Sequence, residues 1–275
     1  MAVPVAASTL ETVRSTGVLR IGYWIAVPFS YRDESRGVVT GYSIEICKRI
    51  AEGLKAQLGL ARLDIHYVPI TASSRVRMLD AGAYDIECSA STQTAERQRS
   101  VLFSRPYFYV VPHYVALARH GWRTLDDLRG HSVSVLRGSV NIARIGRLGR
   151  ERRLNLSIIP VDSLQEAFDA VTQERASAAV LDDALIRALI ARSGQPEAYA
   201  VSADPLDVPE PYGLMTRLDD QAFAAAVDAA LGSVLAAPDM AALYARWFMQ
   251  PIAGLNINLS MPMSPALRQA LAGGP

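Results

Sequence analysis

The chain has 275 residues, half of them hydrophobic and a fifth charged, which suits a globular protein of two lobes better than one oversized core. Lys plus Arg is 28 and Asp plus Glu is 27, a net charge of +1, so the balance gives no reason to expect nucleic acid or an anionic membrane as partner. No apolar run reaches transmembrane length. Residues 1–8 are too short for a signal peptide, and Ala2-Val3-Pro4-Val5-Ala6-Ala7 reads as a mature N-terminus behind an added initiator Met.

Leu19 to Trp24 is expected to be a short strand that runs into a loop stiffened by Pro28. Trp24 and Phe29 there are either core or one wall of a pocket. Ile44, Cys47, Ala51, Leu54 and Leu58 keep the spacing of a half-buried helix over about 43–57. Asp64 to Ile70 is the next strand, followed by a short helix over 74–81 that Ser73 can cap and Gly82 can close. Arg75 falls in its first turn, where a positive charge opposes the helix dipole unless an anion is near. Two cysteines do not make a disulfide framework. Cys47 and Cys88 read as buried thiols packing as small hydrophobes, and a bridge requires the helix to lie directly over the strand.

The stretch Asp85 to Gln98 reads as a buried strand, a hydroxyl-rich turn and a helical turn opened by Thr94. Backbone N–H groups left at such a turn, the Thr92 hydroxyl and the planar fork of Arg97 can converge on one carboxylate, with Ala90 and Ser91 in the same turn. Strand, helix, strand, helix, strand across 19–88 is a doubly wound α/β pattern, which binds ligands beyond the carboxyl ends of its strands. Trp24, Arg75 and the Ala90–Arg97 turn all follow such ends.

Residues 106–118 are β-rich. Thr124 to Asp127 fits a capping box that opens a short helix ended by Gly130, and Ser163 to Glu166 fits a second one. Strands are expected at 132–136, 157–161 and 177–181, and helices after Asn141, from Leu164 and over 184–193. Ser139 and Val140 stand at the first of those helix starts. Arg144, Arg147, Arg150, Arg152 and Arg153 read as a solvated basic face. Asp182 and Asp183 close a buried strand. One is assigned to a ligand ammonium, Asp182, and the other to capping, Asp183. Residues 200–203 and 210–216 recross to the first lobe, and helices over 219–235 and 239–248 pack back on it. The tail after Pro251 reads as irregular, frayed at 273–275.

His66, His113, His120 and His131 have no metal-ligand spacing, and no Ser sits in a G-x-S-x-G elbow. Gly138-Ser139 lacks both nucleotide-loop patterns. No cofactor is expected, and the chain reads as a binding protein.

Motifs run along most of the chain in one order: Ser8-Thr9-Leu10 with Gly17-Val18-Leu19, Val27-Pro28-Phe29-Ser30-Tyr31, Gly41-Tyr42-Ser43, Pro69-Ile70-Thr71 with Arg75, Glu87-Cys88 through Glu96-Arg97-Gln98, Asp126-Asp127-Leu128, Asp182-Asp183-Ala184-Leu185 and Pro211-Tyr212-Gly213. In these the sequence resembles the periplasmic amino-acid-binding proteins of ABC importers, above all the glutamate/aspartate-binding branch. The resemblance implies a two-lobed type II periplasmic-binding-protein fold, each lobe a doubly wound mixed sheet. Lobe one is 1–112 with 207–275, lobe two is 113–206, and two hinge strands join them. It implies a periplasmic monomer that captures an amino acid in the cleft by hinge closure and delivers it to membrane permease subunits. It places Trp24 at the ligand, with Arg97, Thr92 and Arg75 in one lobe and Asp182, Ser139, Val140 and Leu164 in the other. The side-chain pocket departs from the glutamate pattern. The first loop is one residue shorter and offers Trp24-Ile25-Ala26 where that branch carries an Arg, Ala72 and Ala90 replace small hydroxyls, Val140 replaces a Thr and Leu164 a His. A less polar ligand is therefore a contender. The rivals are a dehydratase of the same fold acting on a cyclohexadienyl acid, for which no general acid but Glu87 is near, and the sensor domain of a receptor kinase.

Overall fold

A computed structural model describes residues 8–272. The first helix, α1 (Thr9–Thr16), opens on a capping box in which the Ser8 hydroxyl accepts the Glu11 N–H and the Glu11 carboxylate accepts the Ser8 N–H. Then come β1 (Val18–Tyr23), the hairpin β2 (Tyr31–Asp33) and β3 (Val38–Thr40), α2 (Tyr42–Leu58), β4 (Asp64–Pro69), α3 (Arg75–Asp80), β5 (Ile86–Glu87), β6 (Val101–Phe103), β7 (Phe108–Val110) and β8 (Pro112–Leu117). The chain continues through β9 (Ser132–Leu136), α4 (Asn141–Glu151), β10 (Ser157–Val161), α5 (Leu164–Thr172), β11 (Ala178–Asp182), α6 (Asp183–Arg192) and β12 (Tyr199–Val201). It ends with β13 (Glu210–Tyr212), β14 (Met215–Arg217), α7 (Gln221–Leu235), α8 (Met240–Phe248) and α9 (Pro265–Ala272).

Two five-stranded mixed sheets form the two lobes. The first has the order β4-β1-β5-β14-β6, the second β10-β9-β11-β8-β12. In each the central pairs are parallel and the edge on one side is antiparallel: β1 pairs in parallel with β4 and β5, β9 with β10 and β11, while β14 and β8 run against their neighbours. Between the sheets β7 and β13 form an antiparallel two-stranded ribbon. Its Phe108 and Tyr212 belong to a buried aromatic cluster with Phe29, Tyr42, Tyr244 and Phe248. Rings packed edge-on and stacked at centroid distances of 4.6–6.3 Å anchor the ribbon to the first lobe. Phe29 is thus core and not a pocket wall.

Several expectations are corrected. Cys47 and Cys88 are joined in a disulfide with Cα atoms 6.4 Å apart, because α2 does cross the end of β5. The short helix after β4 has Ser74, not Ser73, at its N-cap, and the Ser74 hydroxyl accepts the Thr71 N–H instead of capping. Residues 199–201 stay in the second sheet, paired with β8, so the return to the first lobe comes with β13. The tail after Pro251 carries α9, and residues 273–275, like the N-terminal residues 1–7, lie outside those described. The basic face of α4 is not uniformly solvated, since Arg144 is only 7% exposed.

Candidate functional site

Five strand ends open on one cleft between the lobes, as expected where parallel strands finish at a crevice. β1 delivers Trp24, the loop after β4 delivers Arg75, and β5 delivers the turn that holds Ala90, Thr92 and Arg97. From the second lobe β9 feeds Ser139 and Val140 at the start of α4, and β11 ends in Asp182. A cavity at this point is lined by all of these and by Leu164. Ser91 alone of the expected residues is not at the cavity: its hydroxyl donates to Glu87 Oε1 at 3.1 Å. Residues 87–92 keep a two-residue alternation, so Ala90 and Thr92 face the cleft while Ser89 and Ser91 face inward. Leu136, Asn141, Leu181 and Leu185 also line the cavity and were not foreseen.

The turn is held rigid from behind. The Ser89 carbonyl accepts the hydroxyls of Ser43, at 3.1 Å, and of Tyr107. The Gln93 N–H donates to the Pro211 carbonyl at 2.9 Å and the Gly213 N–H to the Ser91 carbonyl at 3.1 Å, which ties the turn to β13. Thr94 does open the helical turn, a 3-10 turn over Arg97–Arg99, by accepting the Arg97 N–H at 3.2 Å.

Arg97 donates through Nη1 to the Thr92 carbonyl at 2.8 Å and through Nη2 to the Gly138 carbonyl at 2.9 Å. Arg75, 3% exposed, donates through Nη2 to the same Gly138 carbonyl at 3.0 Å and stacks its guanidinium 5.9 Å from the Trp24 ring centre. Two first-lobe cations thus share one neutral acceptor of the second lobe. Burial and the neighbouring Arg75 charge push Arg97 down to about 9, and Glu87 and Asp182 pull the other way. Burial likewise lowers Arg75, opposed chiefly by Glu87. Both guanidiniums stay charged at neutral pH but at a cost that a bound anion would relieve.

Glu87 is fully buried. Its Oε1 accepts the Trp24 indole N–H at 3.1 Å, and its Oε2 has no hydrogen-bond partner. Burial raises its pKa, with Arg75 opposing. It fixes the indole from behind and does not line the cavity.

Asp182, 6% exposed, accepts the Asn141 amide at 3.2 Å on Oδ1 and the Tyr212 hydroxyl on Oδ2. Asn141 is oriented in turn by Arg144, which donates to its Oδ1. An arginine only donates, so the amide nitrogen must face Asp182. Arg144 also pairs with Asp207 at 3.2 Å and with Glu210 of β13. Asp183 is turned away from the cavity and accepts the N–H groups of Val111, at 3.1 Å, and Ala184, at 2.9 Å. Burial raises its pKa to about 6. Ser139 Oγ is buried with no partner. Among the described residues no group of three or more His, Cys, Asp or Glu could hold a metal.

Comparison with known proteins agrees with this architecture. The L-glutamate/L-aspartate-binding protein of Pseudomonas aeruginosa is 31% identical over 265 residues, spanning 96% of this chain and 87% of that protein. The glutamate/aspartate import solute-binding protein of Escherichia coli is 30% identical over 268 residues, 97% of this chain and 88% of that protein. A solved structure of an ancestral amino acid-binding protein, described as a precursor of cyclohexadienyl dehydratase, superposes with a TM-score of 0.73 at 26% identity, covering 88% of this chain and 99% of that one. The family model of the bacterial extracellular solute-binding proteins, family 3, matches residues 19–250, and the chain belongs to that family.

Proposed function

We propose that the protein captures a small amino acid in the inter-lobe cleft and presents it to the membrane subunits of an ABC importer. The observation that carries this is the convergence on one cavity of two cations from one lobe, Arg75 buried and Arg97 half-buried, and one buried carboxylate from the other. Arg97 and Arg75 would exchange the Gly138 carbonyl for the ligand carboxylate, with the Thr92 hydroxyl beside them. The carboxylate brings a negative charge and two acceptor oxygens to the two guanidiniums, which the neutral carbonyl does not. Asp182, with two donors already placed, keeps lone pairs for the ammonium. Ser139 Oγ supplies a further polar group from the second lobe, and Trp24, Ala90, Val140 and Leu164 enclose the ligand around its Cα. A ligand carrying both charges bridges the lobes and favours the closed form.

The hinge in this reading is the β7–β13 ribbon, with lobe one as residues 1–112 and 207–275 and lobe two as 113–206. Binding without chemistry is favoured because Asp182 is the sole acid lining the cavity and both its oxygens accept from fixed donors. A buried disulfide suits an extracytoplasmic, oxidising compartment such as the periplasm. The protein is read as a monomer.

The experiment is a thermal-shift screen of the purified protein against the common L-amino acids, with Arg97→Ala in parallel. At a hundredfold excess over Kd the wild type should gain about 2.7 kcal/mol. Equal shifts in wild type and Arg97→Ala, or none in the wild type with any amino acid, would refute the reading.

A further inference from the structure

The cavity at the arginines is very small, about 20 Å3, room for roughly one water molecule. An amino acid's charged groups can replace the contacts that Arg75, Arg97 and Asp182 now make with protein atoms. A side chain much larger than a methyl group then has no room while the lobes are shut. A second space lies against this one. It measures about 170 Å3 and sits between the Ile25–Val27 loop of the first lobe and helices α5 and α6 of the second.

The two spaces share Leu164 and Leu185. These buried leucines, the first residue of α5 and the third of α6, form the partition. A leucine changes rotamer far more cheaply than a backbone segment moves. Beyond them the buried lining is Val27, Ala188 and Leu189, while Ile25, 65% exposed, and the exposed Ser163 and Gln165 stand at the rim. An isoleucine that exposed on the lip of an apolar space gains most from an apolar occupant. The one charged residue lining it, Arg192, is exposed, so the space offers no buried cation to an acidic side chain.

We propose that this space is the ligand's side-chain subsite, and that the ligand is an amino acid with a long apolar side chain, of the size of norleucine or methionine. The inference rests on the amino-acid reading above and goes beyond it by naming the side-chain class. The α-carboxylate and ammonium sit at the arginines and Asp182, and the side chain passes between Leu164 and Leu185. A glutamate or aspartate side chain would instead have to bury a second carboxylate among leucines with only the exposed Arg192 lining the space, which is costly.

The test is calorimetric titration of the full chain with alanine, 2-aminobutyrate, norvaline, norleucine and glutamate. At about 0.8 kcal/mol per buried methylene, affinity should rise about fourfold with each carbon up to norleucine. Glutamate should bind more weakly than norleucine. Two variants fill the space without touching the charged groups: Ala188→Leu from inside and Gln165→Trp from the exposed rim, so that one serves if the other misfolds. Each should weaken norleucine at least tenfold and leave alanine unchanged. Affinity independent of side-chain length, glutamate binding above norleucine, or equal losses for alanine and norleucine in a folded variant would overturn the subsite alone. No binding of any of the five would overturn the subsite, and no shift with any common L-amino acid in the thermal screen would overturn the amino-acid reading as well.

Discussion

Arg144→Leu should destabilise the protein although Arg144 does not line the cavity. Arg144 is 7% exposed, and its guanidinium serves Asn141, Asp207 and Glu210 together. Asp207 is about a third exposed, so its share is screened and small. Glu210 is the costly partner: its side chain is 16% exposed and its Oε2 is already buried without a hydrogen bond. Removing the cation that, among the described residues, alone pairs with a mostly buried carboxylate costs on the order of 3–5 kcal/mol, and partial exposure places this case near the lower figure. The pH dependence carries the diagnosis. Burial already raises the Glu210 pKa and Arg144 opposes that rise, so the variant should raise it further. A folded-state pKa above the unfolded one gives stability that is present at low pH and is lost as pH rises through the folded value. The deficit of Arg144→Leu should therefore be largest near pH 8 and shrink toward pH 5. Urea denaturation at both values measures it, and adding Glu210→Gln should recover most of the loss at pH 8. A deficit below about 1 kcal/mol, or one of equal size at both pH values, would refute the reasoning.

Asp182→Asn should weaken amino acids at least tenfold, since a charged hydrogen bond contributes about 1.5–3 kcal/mol, and should spare carboxylates that lack the amine; calorimetry with paired ligands decides. Cys47→Ala with Cys88→Ala should lower unfolding stability by about 4 kcal/mol, the chain-entropy value for a link between residues 41 apart; denaturant midpoints with and without reductant would show it, and no difference would mean the bridge does not constrain the unfolded chain. Asp183, raised to about 6 by burial, contributes stability that is present below about 3.8 and lost as pH rises through about 6. Asp183→Asn should remove that part of the decline between pH 4 and 7, about 3 kcal/mol at most; an unchanged pH profile would count against the shift.

The alternation of strands and helices was legible because period-two and period-3.6 patterns are local. Strands 132–136 and 157–161 match their expected bounds. α1 went unread although Ser8-x-x-Glu11 is a capping-box signature. α9 hides in a tail broken by Pro262 and Pro265, where no sustained helical spacing runs, and its Leu267 is buried. The cleft was readable because residues after parallel strand ends meet there. Ser91 was misplaced because the strand's alternation was not carried through the turn. Arg144 was misread because its acidic partners lie 63 and 66 residues further on, and on its own helix it is one arginine among several. The disulfide depends on α2 crossing β5, a tertiary fact that no local pattern contains.

Gly138 connects the site to closure, and its substitution separates binding from lobe movement. The residue has φ +80°, and a Cβ added there would lie 2.6 Å from the Ala72 carbonyl oxygen and 2.7 Å from the Ser73 Cα. Both obstacles are backbone of the opposite lobe, so no side chain can swing aside. Left-handed backbone strain in Gly138→Ala is common to the open and closed forms and cancels in their equilibrium. The clash exists only in the closed form. If it shifts that equilibrium by about 1.4 kcal/mol, the apparent affinity falls tenfold, because the ligand must first recover the competent state. Gly121→Ala is the matched control: φ is +68° and nothing lies within 4 Å of the added carbon. Calorimetry with the most stabilising amino acid should show at least tenfold weaker binding for Gly138→Ala and wild-type binding for Gly121→Ala. Small-angle scattering should show that ligand compacts the wild type and the control but not Gly138→Ala. Wild-type affinity and compaction in Gly138→Ala would mean that the lobes need not approach this closely to hold the ligand, and that the shared Gly138 carbonyl is not the contact that ligand binding replaces.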